Sequence, residues 1–366
     1  MTLHLGLIGN PISHSLSPTI QMAAYRELGL DWDYKLFPCV DAKAARTFVF
    51  DVRKPESGFL GLNVTTPYKA VAAELADLAS PRVQTIASAN VLAFLPRGCE
   101  AEASASQYLC AETTDGRAAV KVLEAAGAVW QDTRVVICGS GNVASSILIE
   151  LVKLPVAEII MFSRDPEGAS ASIQEQLSRF NAIEWRGEAE WEAEARGPEA
   201  GALHVRAAVT GMQDTGEVVT GPTAATGLQT EKLLAKVRVL AYTEAELILP
   251  DAKVLINATS SGMRPDDPPL FKPQLLHRDL NVLDLVYGHG QTQLLLAAHA
   301  AGAEAQDGLP LLIEQAALSI EYWASLLKMS LKAPRATMEA AARKRQKGDG
   351  NPWTTGAQFH TSTSCG

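Results

Sequence analysis

The sequence has only five cysteines in 366 residues, and their spacing matches neither a C-x-x-C metal site nor a disulfide framework. A chain of this length does not need disulfide bonds for stability. We therefore expect reduced thiols, as in a cytoplasmic protein. The start of the chain lacks a basic region before an apolar segment, so no signal peptide is expected. No apolar run is long enough to span a bilayer, and no membrane association is predicted.

The sequence also lacks an excess of basic residues, since its formal net charge is −9 at pH 7. An acidic protein repels the phosphates of nucleic acids, so nucleic acid is not an expected partner. An anionic small molecule can still bind where the chain supplies a cation or a helix N-terminus. Hydrophobic residues make up 47% of the chain. This content suits large cores, and the length favours two domains over one.

Short apolar runs alternate with segments of helical periodicity along most of the chain. This alternation is typical of a doubly wound α/β architecture with mostly parallel sheets. The predicted strands are residues 5–8, 60–64, 134–138, 158–162, 237–241, 254–257 and 281–285. The predicted helices are residues 18–28, 67–78, 116–126, 142–154, 292–301 and 309–327.

Two segments interrupt the alternation. Residues 186–236 are rich in Gly, Ala, Glu and Thr and have weak periodicity, which indicates an insertion in the compact fold. Residues 333–366 are predicted to form a tail. It contains a basic helix over 338–347 and then a flexible end rich in Gly, Thr and Ser.

A pair of serines precedes the helix predicted at 18–28. Ser17 followed by Pro18 predicts a helix start, with the serine as N-cap and the proline at the first helical position. Capping explains Ser17 but leaves Ser15 unexplained. A second hydroxyl at a helix N-terminus suits the binding of a carboxylate. Helix capping and ligand binding both remain open on these residues alone.

Three further polar residues occur at predicted turns and helix starts. Thr66 is the predicted N-cap of a helix whose first turn contains Lys69, although a cation there opposes the helix dipole. Lys69 can also be an ordinary surface lysine. Asp115 stands at the start of the helix predicted at 116–126 and can simply complement its dipole. Asn90 ends a turn of small residues and can be an ordinary turn residue.

The strand predicted at 134–138 runs directly into the pattern G-x-G-x-x-A and then into a helix. This is the context that a dinucleotide-binding loop requires. The first glycine permits a tight turn, the second lets a pyrophosphate approach the backbone, and the alanine allows close helix packing. The candidate cofactor-binding residues are Gly139, Ser140, Gly141, Asn142, Val143 and Ala144.

The next predicted strand leads into Ser163, Arg164 and Asp165, about twenty residues after the glycine loop. In dinucleotide-binding folds, an acidic residue here binds the ribose diol of NAD, and an arginine pairs with the 2′-phosphate of NADP. Both residue types are present. The arginine favours NADP as the cofactor, and NAD remains possible.

Taken in order, these motifs resemble those of the shikimate dehydrogenase family. The similarity rests on S-x-S-P, N-V-T-x-P-[FY]-K, the asparagine turn, T-D-G, the glycine loop and the segments 257–263 and 307–309. It implies an N-terminal α/β substrate-binding domain, residues 1–115, which is completed by residues 291–332. A Rossmann-like doubly wound NAD(P)-binding domain, residues 116–290, carries the insertion.

The resemblance implies an NAD(P)-dependent oxidoreductase of the shikimate pathway of aromatic amino-acid biosynthesis. Its reaction is the reversible reduction of 3-dehydroshikimate to shikimate, without a metal. Lys69 and Asp115 are the implied catalytic residues. The implied substrate-binding residues are Ser15, Ser17, Thr65, Asn90, Tyr287 and Gln315. Thr259 and Gly308 join the implied cofactor-binding residues.

Some positions depart from the family pattern. The turn before Asn90 carries Ser88, Thr113 replaces the asparagine of N-T-D, and Asn142 stands where a glycine is common. Leu16 between the two serines also suits the quinate/shikimate branch of the family, so quinate remains open as a substrate. The insertion, the tail and the altered glycine loop motivate a ligand-sensing protein without catalysis as an alternative. A dehydrogenase of the methylene-tetrahydrofolate type is another alternative, but the paired serines suit a small hydroxy acid better than a folate. The expected assembly is a monomer or a homodimer.

Overall fold

Two six-stranded sheets organise the chain. The computed structural model describes residues 2–95, 107–183, 231–264, 266–288 and 290–348. The insertion expected at 186–236 lies outside these residues except for 231–236, which are helical. The flexible end expected after the basic helix lies outside them as well.

The first sheet comes from the N-terminal part of the chain and is mixed. Its strand order is β2-β1-β3-β5-β6-β4, and β5 runs antiparallel to both β3 and β6. The strands are β1 (Leu3–Gly9), β2 (Trp32–Pro38), β3 (Phe59–Val64), β4 (Leu78–Ala79), β5 (Val91–Leu95) and β6 (Tyr108–Glu112). The helices of this part are α1 (Ser17–Glu27), α2 (Ala42–Val52), α3 (Lys69–Leu75) and α4 (Pro81–Ile86).

The second sheet is parallel throughout and has the order β12-β11-β10-β7-β8-β9. The chain builds outward from β7 in one direction and then from β10 in the other. Ligands of such sheets bind at the carboxyl ends of the strands at this reversal. The strands are β7 (Arg134–Cys138), β8 (Glu158–Ser163), β9 (Val237–Ala241), β10 (Val254–Asn257), β11 (Asn281–Asp284) and β12 (Glu304–Gln306). Its helices are α5 (Asp115–Ala125), α6 (Asn142–Leu151), α7 (Pro166–Ala182), α8 (Ala245–Ile248) and α9 (Gln293–Ala300).

Two C-terminal helices, α10 (Leu309–Leu326) and α11 (Arg335–Gly348), return to the first sheet. Trp323 of α10 is fully buried there, and its indole N–H donates to the Leu92 carbonyl at 3.0 Å. Leu311 and Leu318 of the same helix join the core around α5, so α10 packs against both halves of the molecule. Strand β12 is part of the second sheet, and helix α9 packs against that sheet. The return therefore begins at α10, later than the expected residue 291.

Two predicted helix starts are wrong. The N-cap of α1 is Leu16, without a side-chain cap, because the Ser15 hydroxyl accepts the N–H of Ser17 instead. Helix α3 begins at Lys69 with Tyr68 as N-cap, since residues 65–68 form a turn closed by the Tyr68 N–H and the Thr65 carbonyl. The helix ends early as well, because the following residues pair with β6. Across the described ranges, no helix combines the length and apolar character needed to cross a bilayer.

Candidate active site

A buried ion pair joins the starts of helices α3 and α5. Lys69 Nζ lies 2.6 Å from Asp115 Oδ2. The lysine side chain is 11% exposed and the aspartate side chain 5%, so little water competes for the two charges. Asp115 is the first residue of its helix, where the dipole favours a carboxylate. The arrangement holds one ammonium group in a fixed position.

Asn90 connects this pair to two other elements. Its amide nitrogen lies 2.9 Å from Asp115 Oδ1, 3.0 Å from Thr114 Oγ1 and 3.0 Å from Gln315 Oε1. Its oxygen accepts the backbone N–H of Thr114 at 2.9 Å. These contacts fix which end of the amide faces α5 and α10. Sequence reasoning missed the role of Thr114, although it stands within the T-D-G motif.

The two predicted serines lie at the N-terminus of α1, just after β1. Ser15 Oγ donates to Ser17 Oγ at 3.0 Å, and both residues are partly buried. Thr65 follows β3, which neighbours β1 in the sheet, and its N–H donates to the Ile8 carbonyl at 2.9 Å. The serines and Thr65 therefore occupy the same end of the first sheet. Hydroxyl groups at a helix N-terminus can donate to a carboxylate.

Tyr287 links the two halves of the molecule. It follows β11 of the second sheet, yet its side chain packs against the core of the first sheet. Burial raises the pKa of its phenol, which therefore stays protonated near neutral pH. The hydrogen bonds described above join Lys69, Asp115, Asn90 and Gln315 into one cluster.

The glycine loop stands at the reversal of the second sheet. Gly139 has φ +102°, and a Cβ there would lie 3.1 Å from Thr259 Cγ2. Gly141 is the N-cap of α6 without a side-chain cap, and a Cβ there would meet no atom within 4 Å. Ala144 is fully buried. The first turn of α6 therefore has no side-chain cap, and the space beside Gly141 is open, as the approach of a pyrophosphate requires. Ser140, Asn142 and Val143 lie at the same helix start.

The residues after β8 form the start of α7. Asp165 is its N-cap, and its carboxylate accepts the N–H of Gly168 at 3.0 Å. Ser163 Oγ accepts the N–H of Asp165 at 3.1 Å and lies 3.4 Å from Ser140 Oγ of the glycine loop. Arg164 is exposed. The arginine is therefore available to an anionic group, while one oxygen of Asp165 already serves the helix.

A chain of hydrogen bonds supports Thr259 at the carboxyl ends of β10 and β11. Thr259 Oγ1 donates to Asn257 Oδ1 at 2.6 Å, and Asn257 Nδ2 donates to Asp284 Oδ1 at 2.8 Å. Asp284 is fully buried, and burial raises the pKa of its carboxyl against the hydrogen bond from Thr292. Sequence reasoning missed Asp284, although a polar residue ending a buried strand is a usable signal.

Gly308 has a packing role next to β11. A Cβ at this position would lie 2.1 Å from the carbonyl oxygen of Leu285. The Gly308 N–H donates to the Val286 carbonyl at 3.1 Å. Any side chain here would displace the backbone after β11, so close packing by itself requires the glycine.

Comparisons with known proteins agree with this arrangement. Residues 7–92 match the family described as shikimate dehydrogenase substrate binding domain. The shikimate dehydrogenase (NADP(+)) of Methanopyrus kandleri is 30% identical over 322 residues, which cover 87% of this chain and 89% of that protein.

Two solved structures are similar over nearly the whole chain. A crystal structure of shikimate dehydrogenase in complex with NADP⁺ has a TM-score of 0.69 at 24% identity, covering 94% of this chain and 96% of that chain. Quinate dehydrogenase from Corynebacterium glutamicum in complex with NAD has a TM-score of 0.67 at 21% identity, with coverages of 94% and 99%. At these identities the two structures establish the shared fold.

The fold and the glycine loop together define a two-sheet α/β protein with a Rossmann-like half. The identity to the Methanopyrus protein extends over almost the full length of both chains. The chain belongs to the shikimate dehydrogenase family.

Proposed function

We propose that the protein is an NADP-dependent shikimate dehydrogenase, which reversibly reduces 3-dehydroshikimate to shikimate. The observation that carries this proposal is the buried pair of Lys69 and Asp115, with Asn90 bonded to the same carboxylate. A carbonyl reduction needs a proton donor held in one place, and a lysine ammonium in a buried ion pair meets that need. The name of the Methanopyrus relative supports the same activity.

In this proposal, Lys69 gives a proton to the carbonyl oxygen during reduction and takes it back during oxidation. Asp115 holds the ammonium in position. When bound, the nicotinamide dinucleotide supplies or accepts the hydride. The protein must therefore hold the reacting carbon and the proton donor in register, since a misplacement of about 1 Å can cost about 10²-fold in rate.

The substrate is a small hydroxy acid that the protein binds at two ends. Ser15 and Ser17 donate to its carboxylate, because they supply two hydroxyls at the N-terminus of α1. Its ring hydroxyls bind to Thr65, Asn90 and Gln315, with Tyr287 beside them. The substrate-binding domain consists of residues up to 115 together with the returning helices α10 and α11.

The dinucleotide binds to the Rossmann-like half, which lies in the sequence between residue 115 and helix α10. Its pyrophosphate binds to the N–H groups at the start of α6, which no side chain caps. The exposed Arg164 pairs with the 2′-phosphate of NADP, since an exposed guanidinium can form two parallel hydrogen bonds to a phosphate.

The described cysteines Cys39, Cys110 and Cys138 are free and buried, which suits a cytoplasmic location.

One steady-state panel tests the proposal: NADP and NAD, each with shikimate and with quinate, followed by nicotinamide absorbance. We expect turnover of shikimate with NADP. Turnover of quinate at a higher kcat/KM than shikimate would instead identify a quinate dehydrogenase. Binding of either acid without any turnover would identify a ligand-sensing protein on this fold.

A further inference from the structure

A line of polar side chains runs beneath the two ends of the proposed substrate site. Tyr34 lies on β2 and is only 4% exposed. Its hydroxyl donates to Asn63 Oδ1 at 2.8 Å. The same oxygen of Asn63 accepts from Gln21 Nε2 of α1 at 3.4 Å, and the N-terminus of this helix carries the two serines. Asn63 of β3 therefore joins a buried phenol to the helix that carries the proposed carboxylate-binding serines.

Asn63 carries the connection to the other end of the site. Its amide nitrogen lies 3.3 Å from the Asn90 carbonyl and 3.0 Å from Ser319 Oγ of α10. Ser319 in turn donates to the carbonyl of Gln315 at 2.8 Å. Asn63 thus bonds to the backbone of one proposed ligand residue and, through Ser319, to the turn that carries another.

The hydrogen bonds in this line have one direction. Tyr34 donates its single hydroxyl proton to Asn63 Oδ1, and the Gln21 amide donates to the same oxygen. Burial raises the pKa of the Tyr34 phenol, which therefore keeps this proton in the working pH range. The Tyr34 donor also orients the Asn63 amide, with its nitrogen toward Asn90.

We propose that Tyr34 is a positioning residue that fixes the distance between the carboxylate-binding serines and the Asn90–Gln315 end of the substrate site. This inference rests on the proposed function, because it assumes that one small acid spans both ends. A ligand held at two ends binds tightly only when the span between them is preset. The hydroxyl of Tyr34 bonds to Asn63 and not to the Lys69–Asp115 pair, so we expect its effect to fall on substrate affinity.

The substitution Tyr34→Phe tests the role, because it removes the hydroxyl and keeps the ring in the core. We expect the KM for shikimate to rise about 3- to 10-fold, the usual worth of one intramolecular hydrogen bond. The KM for NADP and the kcat should change less than about twofold. A KM for shikimate equal to that of the wild type would overturn the proposal.

Tyr25→Phe is the matched control. The Tyr25 hydroxyl is buried in the same core and has no hydrogen-bond partner among the residues that the structure describes. Its removal deletes the same atom from the same part of the protein without breaking a bond. We expect an unchanged KM for shikimate. Equal rises in the two variants would show a general effect on the core and would contradict positioning by Tyr34.

A double-mutant cycle with Asn63→Leu separates positioning from a merely structural role. If Tyr34 acts through Asn63, the combined rise in KM is smaller than the product of the two single rises. With Tyr25→Phe in place of Tyr34→Phe, the effects should multiply. Multiplying effects in both cycles would overturn the proposal.

The activity of the wild type separates this inference from the proposed function. A wild type that turns over neither shikimate nor quinate contradicts the enzyme assignment, and the same variants are then compared by the Kd for shikimate. A wild type without any binding of either acid overturns both ideas. An active wild type with an unaffected Tyr34→Phe variant overturns only the positioning role.

Discussion

Lys69 Nζ and Asp115 Oδ2 lie 2.6 Å apart although 46 positions separate the residues in the chain. The other carboxylate oxygen of Asp115 accepts a hydrogen bond from Asn90 at 2.9 Å. Both oxygens are therefore occupied, and the carboxylate has little freedom to rotate. This holds the ammonium group of Lys69 at the start of α5.

The first prediction concerns removal of that ammonium group. Lys69→Met should lower kcat by about 10²–10⁴-fold, the usual contribution of a positioned acid or base. The KM for NADP should stay nearly unchanged. Steady-state assays with shikimate measure both quantities, and circular dichroism verifies that the variant folds despite the unpaired Asp115.

Lys43→Met is the control for this substitution. Lys43 also lies in the first turn of a helix, α2, but it is exposed to solvent. We expect kcat within about twofold of the wild type, since exposed substitutions rarely matter. Near-normal turnover by Lys69→Met would remove the lysine from the mechanism.

The second prediction separates the two glycines of the loop. Gly139→Ala should lower the free energy of unfolding by about 1–3 kcal/mol, because its φ of +102° strains any other residue. Gly141→Ala should leave stability unchanged, because the added Cβ meets no atom within 4 Å. It should still raise the KM for NADP about tenfold, since the methyl group occupies space that the pyrophosphate needs.

Urea unfolding and steady-state kinetics of both variants measure these effects. A loss of stability in Gly141→Ala would contradict the open packing at this glycine. An unchanged KM for NADP in the same variant would show that the open space at α6 is not the pyrophosphate site. The two glycines thus test the fold and the cofactor site separately.

The strands of the second sheet are easier to predict from sequence than those of the first. Strands β7 and β10 have the predicted bounds, because each is a short run that is mostly apolar and mostly buried. Strand β2 escapes prediction because it lies at the edge of its sheet and mixes polar with apolar residues. Strand β6 comes after a break in the apolar pattern and pairs antiparallel, outside the predicted alternation.

The contacts within the candidate site are also hard to predict from the sequence. The family resemblance implies Asn90 and Gln315 as separate ligand residues, but their contact joins residues that lie 225 positions apart. Only the pairing of strands and the return of α10 bring them together. Tyr34 is out of reach for sequence reasoning, because its role depends on β2 lying beside β1 at the serine end of the site.

The third prediction concerns the choice of dinucleotide. Arg164→Gln should raise the KM for NADP about tenfold, because it removes a charged partner of the 2′-phosphate. The KM for NAD should change less than about twofold, since NAD has no phosphate at that position. Parallel kinetics with the two dinucleotides measure the difference. An equal change for both would mean that Arg164 does not recognise the 2′-phosphate.

The fourth prediction concerns the ion pairs of Arg335, on α11, with Glu314 and Glu321, on α10. Arg335 donates through Nη2 to Glu314 Oε1 at 2.8 Å and through Nη1 to Glu321 Oε1 at 2.8 Å. Burial by itself raises the pKa of Glu314, but the hydrogen bond and charge of Arg335, with Lys121, outweigh it. The pKa of Glu314 is therefore below its ordinary value of 4.5. Arg335→Gln should lower the free energy of unfolding by about 1–2 kcal/mol at pH 7.

The pH dependence of this loss has a definite sign. A carboxyl whose pKa is lower in the folded state contributes stability that is complete above its unfolded pKa and disappears as pH falls through the folded one. The difference between wild type and Arg335→Gln should therefore shrink below about pH 4.5. Urea unfolding at pH 7 and pH 4 measures this difference in the free energy of unfolding.

Arg343→Gln, which breaks an exposed pair with Glu339 on the same helix, should cost less than about 0.5 kcal/mol at either pH. A difference in the free energy of unfolding for Arg335→Gln that grows between pH 7 and pH 4 would contradict a stabilising ion pair between Arg335 and Glu314.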